Sequence, residues 1–165
     1  MNRLTVATLA AFALASCAKK PAPPPESAAE TVRAVAGGEV IGYVAEGGAH
    51  AWLAIPFAAP PAGELRWRAP RPAEGWQGAR SAVSAGPPCP QISNAFHRAE
   101  GIPPGRVIGD EDCLTLDIYA PATAKDGPPL PVMVWVHGGA NIWGRSSAYD
   151  GSVLAANESV IVVAV

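Results

Sequence analysis

Charge is scarce in this chain: only 16% of its 165 residues are charged, and twelve Lys and Arg are balanced by fourteen Asp and Glu, a formal charge of -2. No basic run occurs, and no stripe of Lys or Arg interleaves with aromatics. A surface without such a stripe cannot neutralise a row of phosphates, which excludes nucleic acid as a partner. Metal ligands are as thin. His97 stands alone between the distant Cys89 and Cys113, so no metal site and no cofactor is expected. Long helical patterns are missing too, because 17 Gly and 18 Pro break the chain at short intervals. Well-defined loops between short strands are the expectation. The one long apolar stretch near the start, Leu4 to Leu14, is too short to span a bilayer.

What is present is enough for a core. With 49% hydrophobic residues the balance is that of a globular chain, one domain or part of one. Arg3 followed by the apolar stretch and Ala15-Ser16 reads as an export signal over residues 1–17. Leu14-Ala15-Ser16-Cys17 resembles a bacterial lipobox, in which Cys17 becomes the lipid-modified first residue. An exported, membrane-anchored protein follows, with plain secretion as the alternative. Residues 18–34, rich in Pro and Ala, read as a tether, and residues 35–165 as the folded part. With Cys17 carrying lipid, Cys89 and Cys113 remain as a pair in an oxidising compartment, where a disulfide is favoured over a metal site. Closing a loop of about 25 residues would stabilise the fold by about 3 kcal/mol.

Glu39 to Ala45 and Ala49 to Ile55 are β-prone runs joined by Glu46-Gly47-Gly48, which suits an antiparallel hairpin near a sheet edge. Pro56 to Pro90 has no period, but Trp67 and Trp76 mark it as an ordered loop whose aromatics pack on the body. In Cys113 to Ala120, Leu114, Leu116 and Ile118 alternate with Thr115, Asp117 and Tyr119, the pattern of a strand with one buried face. Leu130 to Val136 and Val160 to Val165 are apolar on both faces and read as interior strands. Between them Asp150 can cap a helix over Ser152 to Asn157, giving one strand–helix–strand crossover. The sheet is expected to keep an open apolar edge, and the 165-residue piece to be poorly soluble.

The strand Leu130 to Val136 runs into His137-Gly138-Gly139-Ala140, a glycine turn whose backbone N–H groups have no obvious partner. Bare, preorganised donors of this kind stabilise the negative oxygen of a tetrahedral intermediate in acyl transfer. No strand–Gly-x-Ser-x-Gly–helix element follows to carry a nucleophile. Gly144-Arg145-Ser146-Ser147-Ala148 approximates one, but it follows a loop and ends in Ala, so Ser146 is not expected to be a nucleophile. His137 reads as a support of its turn rather than a general base. His50 and His97 read as surface residues, and packing is the expected fate of Trp52 and Trp143, with lining of a substrate gorge as the alternative.

Taken in order, Ile55-Pro56-Phe57-Ala58-Ala59-Pro60-Pro61, Leu65-Arg66-Trp67, Cys89-Pro90-Gln91, Glu111-Asp112-Cys113-Leu114, Trp135-Val136-His137-Gly138-Gly139 and Tyr149-Asp150-Gly151-Ser152 resemble the N-terminal portion of the type-B carboxylesterases, the cholinesterase-like branch of the α/β-hydrolases. The resemblance covers about Val35 to Val165. It implies an incomplete α/β fold with a mixed sheet, antiparallel N-terminal strands leading into buried parallel ones. It also implies a Cys89–Cys113 disulfide, and a structural ion pair of Arg66 with Glu111, partly buried, rather than catalytic work by Glu111-Asp112. In the family the oxyanion donors would be the amides of Gly139 and Ala140, with Gly138 serving the turn and a third donor after the nucleophile. The nucleophile, acid and base would lie outside these residues. Where the family more often has a third glycine followed by Phe, this chain has Ala140 and Asn141, which implies a smaller or more polar acyl group. The function implied is serine-type hydrolysis of a small carboxylic ester. The alternative is a relative that keeps the fold, lacks the serine and acts in binding or adhesion.

Overall fold

A computed structural model describes residues 23–165; the export signal, Cys17 and the start of the tether lie outside the described residues. Among the described residues ten short strands are present: β1 (Arg33–Val35), β2 (Gly38–Ile41), β3 (Tyr43–Val44), β4 (His50–Pro56), β5 (Ala79–Ser81), β6 (Gln91–Ile92), β7 (Val107–Ile108), β8 (Thr115–Ala120), β9 (Val132–Trp135) and β10 (Ile161–Ala164). The α-helix α1 spans Ser152–Glu158. The main sheet runs in the order β3-β4-β8-β10-β9, a smaller one in the order β1-β2-β5, and β6 pairs with β7 alone.

The expected hairpin exists, but its first run is split. Tyr43–Val44 pairs antiparallel with β4, whereas Gly38–Ile41 joins the smaller sheet. Gly42 makes the break, because a Cβ there would lie 2.0 Å from the Ala51 carbonyl oxygen. The hairpin lies at the edge of the main sheet as expected, with β3 the edge strand and β4 the next one in. A bulge between Trp52 and Ile55 turns the β4 backbone toward two partners. Leu53 N–H donates to the Ala82 carbonyl, tying the smaller sheet to the main one, and Ala54 N–H donates to Asp117 Oδ1 at 2.9 Å.

The packed part begins before residue 35. Thr31 is fully buried, its hydroxyl accepts the Gly42 N–H at 2.8 Å, and its carbonyl accepts the Trp52 indole N–H at 2.7 Å. Part of the stretch expected as tether, around Thr31, is therefore packed onto the folded body. No periodicity over so short a stretch could have indicated this. The proline-rich loop is ordered as expected but treats its two tryptophans differently. Trp76 packs on Gly37 and Gly38 and donates to the Glu39 carbonyl at 2.6 Å. Trp67 is fully exposed with φ 59, so it does not pack on this body.

Two clusters fill the opposite faces of the main sheet. Ala49, Ala51, Tyr119 and Val162 lie with Ala155 of α1, and Val40, Trp52, Ile55, Ala82 and Ala120 lie with the smaller sheet. Because both faces are covered, the alternation in β8 was misleading: Asp117 and Tyr119, on the face expected to meet solvent, are buried. Burial pushes the Asp117 carboxyl above its usual range, while the Ala54 N–H and the nearby Ser146 hydroxyl pull it back. Its Oδ2 has no hydrogen-bond partner among the described residues. A raised folded-state pKa means the fold prefers the protonated form. The stability this contributes is fully present below the unfolded-state pKa and is lost as pH rises through the folded one. Asp117→Asn keeps an acceptor for Ala54 and should melt above the parent at about pH 7, with the advantage vanishing below about pH 4. An advantage that persists unchanged in acid, in paired thermal melts, would contradict this account.

The crossover forms as expected. β9 and β10 pair in parallel with α1 between them, and β10 runs antiparallel to β8. The helix extends one residue past the expected end, with Asp150 accepting from the Ser152 N–H at 2.8 Å. β10 is interior, with Val162 and Ala164 buried. β9 is not: in this chain it sits at the sheet edge, with Val132, Met133, Val134 and Trp135 all exposed. The open apolar edge is thus β9 itself.

Candidate functional site

At the end of β9 the chain turns sharply through His137-Gly138-Gly139-Ala140-Asn141. Gly139 has φ 131, and Ala140 and Asn141 have φ 55 and 59. Two consecutive non-glycine residues in the left-handed region carry strain, on the order of 1 kcal/mol for the alanine and less for the asparagine. A glycine at 140 would relieve it. The turn closes on itself through Ile142 and Trp143 N–H groups, which donate to the Gly139 carbonyl at 3.0 and 3.3 Å. The N–H groups of Gly138, Gly139, Ala140 and Asn141 have no acceptor among the described residues. Gly138, Ala140 and Asn141 are exposed and Gly139 is half-exposed, so these donors are open to an incoming oxygen.

The glycine requirement falls on a different residue from the one expected. A Cβ at Gly138 would meet nothing within 4 Å, and Gly138 does not have a left-handed φ. A Cβ at Gly139 would sit 1.7 Å from the Trp143 carbonyl oxygen. At Gly144, φ 137, it would sit 2.3 Å from His137 Nδ1 and 2.8 Å from the Gly138 carbonyl oxygen. Gly139 and Gly144 therefore interlock the two arms of the loop, and Gly138 leaves open space beside the donors. Sequence reading cannot separate two adjacent glycines, because the clash partner of Gly139 lies four residues further on.

His137 serves this loop. Its Nδ1 donates to the Gly138 carbonyl at 2.8 Å, and the carbonyl can only accept, so the proton sits on Nδ1. Nothing among the described residues presents it with a nucleophilic hydroxyl. Ser146 lies in the turn Ser146–Ala148, on no strand-to-helix elbow. The other two histidines are buried, not on the surface. His50 lies against the Trp52 ring and 3.3 Å from Arg33 Nη2, and burial followed by Arg33 lowers its pKa. His97 Nδ1 accepts the Asn94 N–H, capping a short helical turn. Trp52 packs in the core, and Trp143 stacks on Phe96 with ring centroids 5.1 Å apart.

The segment between Cys89 and Cys113 buttresses the turn. The two cysteines form a disulfide with Cα atoms 5.0 Å apart. Within the loop it closes, Phe96 stacks on Trp143, Glu100 pairs with Arg145, and the Gln91 side chain grips Gly144. A cleft of about 440 Å³ opens between this loop and the turn, bordered by His137, Asn141 and Trp143. Sequence reading quoted Gln91 within a motif but gave it no role. Its partner is 53 residues away, and no local pattern reports such a contact.

Arg66 and Glu111 pair bidentately, with Nη2 to Oε2 at 2.6 Å. Hydrogen bonding to Arg66 holds the Glu111 carboxyl below its usual range. Arg66 is exposed, with a side-chain accessibility of 57%, and Glu111 is only partly buried at 35%. Truncating one partner therefore leaves the other to water, and the pair ties loop to strand without contributing much stability.

A model described as the Carboxylesterase family matches residues 29–165. The chain belongs to that family. Cocaine esterase of Oryctolagus cuniculus is 46% identical over 123 residues, which cover 73% of this chain and 23% of that protein. Carboxylesterase 3 of Homo sapiens is 46% identical over 117 residues, 69% of this chain and 20% of that one. Among solved structures, a PNB esterase superposes with a TM-score of 0.71 at 41% identity, covering 82% of this chain and 27% of its own. A carboxylesterase of Geobacillus stearothermophilus gives a TM-score of 0.66 at 37% identity, covering 81% and 25%. The chain thus spans about a quarter of the length of the carboxylesterases it matches. Its mixed sheet is part of an α/β-hydrolase esterase fold.

Proposed function

We propose that this chain supplies the oxyanion-stabilising turn of a serine-type carboxylic ester hydrolase. The observation that carries this reading is the set of free amides at Gly139 and Ala140, exposed at the end of a sheet strand and locked by interlocking glycines. As a serine hydroxyl adds to an ester carbonyl, the carbonyl oxygen becomes an alkoxide. Fixed N–H donors stabilise that charge without having to reorient, and losing one such donor costs about 3 kcal/mol of barrier. The serine, the base and its acidic partner come from residues outside this chain. The methyl of Ala140 and the amide of Asn141 border the acyl side and favour a short or polar acyl group.

A chimera tests this directly. With residues 29–165 in place of the matching segment of the PNB esterase, p-nitrophenyl acetate should be hydrolysed, whereas the 165-residue chain alone should give no turnover above background. Ala140→Gly in the chimera should shift preference toward longer acyl chains. A folded but inert chimera, or clear turnover by the isolated chain, would sink the proposal.

The disulfide also supports export to an oxidising compartment, which fits the lipid anchor read at Cys17. Radiolabelled palmitate should be incorporated by the parent and not by Cys17→Ser; equal labelling would remove the anchor from this reading.

A further inference from the structure

The Gln91 side chain is buried beside the turn and spends its whole amide on backbone. Its Oε1 accepts the Gly144 N–H at 2.8 Å. Its Nε2 donates to the Gly144 carbonyl and to the Cys89 carbonyl, both at 3.0 Å. One amide thus satisfies both polar groups of Gly144 and anchors them to a disulfide-bonded residue. Few side chains can do this, because the task needs one acceptor and two donors on a single planar group at that reach. Gly144 is also the residue at which a Cβ would collide with the His137 ring and the Gly138 carbonyl, and at Gly139 a Cβ would collide with the carbonyl of its neighbour Trp143. A displacement of Gly144 therefore moves both sides of the donor turn.

We infer that Gln91 is the positioning residue of the anion-binding turn, holding the Gly139 and Ala140 amides in place through Gly144. The inference deepens the esterase reading above and rests on it for its functional meaning. The physical clamp stands on its own geometry. Its amide is engaged entirely by backbone, so Gln91 acts through the loop.

Three variants of the 165-residue chain, at micromolar concentration with the disulfide intact, separate the possibilities by site-resolved hydrogen exchange corrected for intrinsic rates. In the parent, Gly144 N–H is protected by Gln91, and Ile142 and Trp143 N–H by the Gly139 carbonyl, equally at about pH 7 and about pH 4. Gln91→Leu should raise exchange at all three positions at least about tenfold at both pH values, while Val162 in β10 stays protected. Gln91→Glu keeps the shape. Its carboxylate would face the Cys89 and Gly144 carbonyls with no donor, so protection should be lost at about pH 7. Protonation restores one donor, and protection should largely return at about pH 4. Gln91→Asn, one methylene shorter, should behave like Leu. Parent-like exchange at Ile142 and Trp143 in Gln91→Leu, or an unchanging profile for Gln91→Glu across the two pH values, would overturn the assignment. An inert chimera with Gln91 intact would instead overturn the esterase reading, whatever the exchange rates.

Discussion

Gly139→Ala is expected to cut hydrolysis by the chimera at least about 100-fold and to destabilise the chain by on the order of 2–4 kcal/mol. Two independent penalties fall on the same atom. At φ 131 an L side chain is strained wherever it points, and the new methyl carbon would lie 1.7 Å from the Trp143 carbonyl oxygen. That oxygen is backbone and cannot rotate away, so the loop must open. Opening it carries the neighbouring amides off the position where an alkoxide would sit. Gly138→Ala is the control, because its Cβ meets nothing and its φ is ordinary. It should fold as the parent does and affect activity only by crowding an incoming ester. Comparable urea midpoints for the two variants would show that the interlock with Trp143 does not hold the turn.

Removing the disulfide should have the next largest effect. Cys89 and Cys113 are 24 positions apart, and in the chain-entropy model opening that loop costs about 3 kcal/mol. For a chain of this size, that lowers the urea midpoint by more than about 1 M. The loss should not stop at stability. Gln91, Phe96 and Glu100 all belong to the segment the bridge closes, and all three brace the 143–145 arm of the donor loop. Cys113→Ser should therefore speed exchange at Gly144, Ile142 and Trp143 under conditions where β10 remains protected. A variant that loses stability uniformly, with no preferential loosening of the loop, would mean that the bridge acts only on the unfolded chain. The exposed Arg66–Glu111 pair gives the contrast: its removal should leave the same residues undisturbed.

Much of this architecture is legible in the sequence, for identifiable reasons. The crossover of β9, α1 and β10 is visible because two apolar runs flank a short helix-prone segment at whose start Asp150 accepts the Ser152 N–H, although of the two strands only β10 is interior in this chain. The donor turn is visible because paired glycines directly after an apolar strand leave few other uses for their amides. β8 was misread for an equally physical reason. Alternation indicates one dry face only if the other meets water, and here α1 and the turn at Ser146–Ala148 cover the second face, burying Asp117 and Tyr119. The histidines went the same way. His50 and His97 carry no local signature of burial, and only their partners, Arg33, Trp52 and Asn94, place them inside.

By itself the sequence determined the outline: the hairpin, the cysteine pair, the crossover and a glycine turn rich in free amides. Those features rest on short-range patterns, where a few neighbouring side chains or a backbone torsion settle the outcome. Only the tertiary structure decided which glycine is indispensable, that Asp117 and Thr31 are buried, and that Gln91 grips the loop. Each of those depends on atoms brought together from seven to more than sixty residues apart, if the adjacent contacts at Gly139 are set aside. At such separations steric fit and hydrogen-bond pairing are properties of the folded arrangement, and no local stretch of chain contains them.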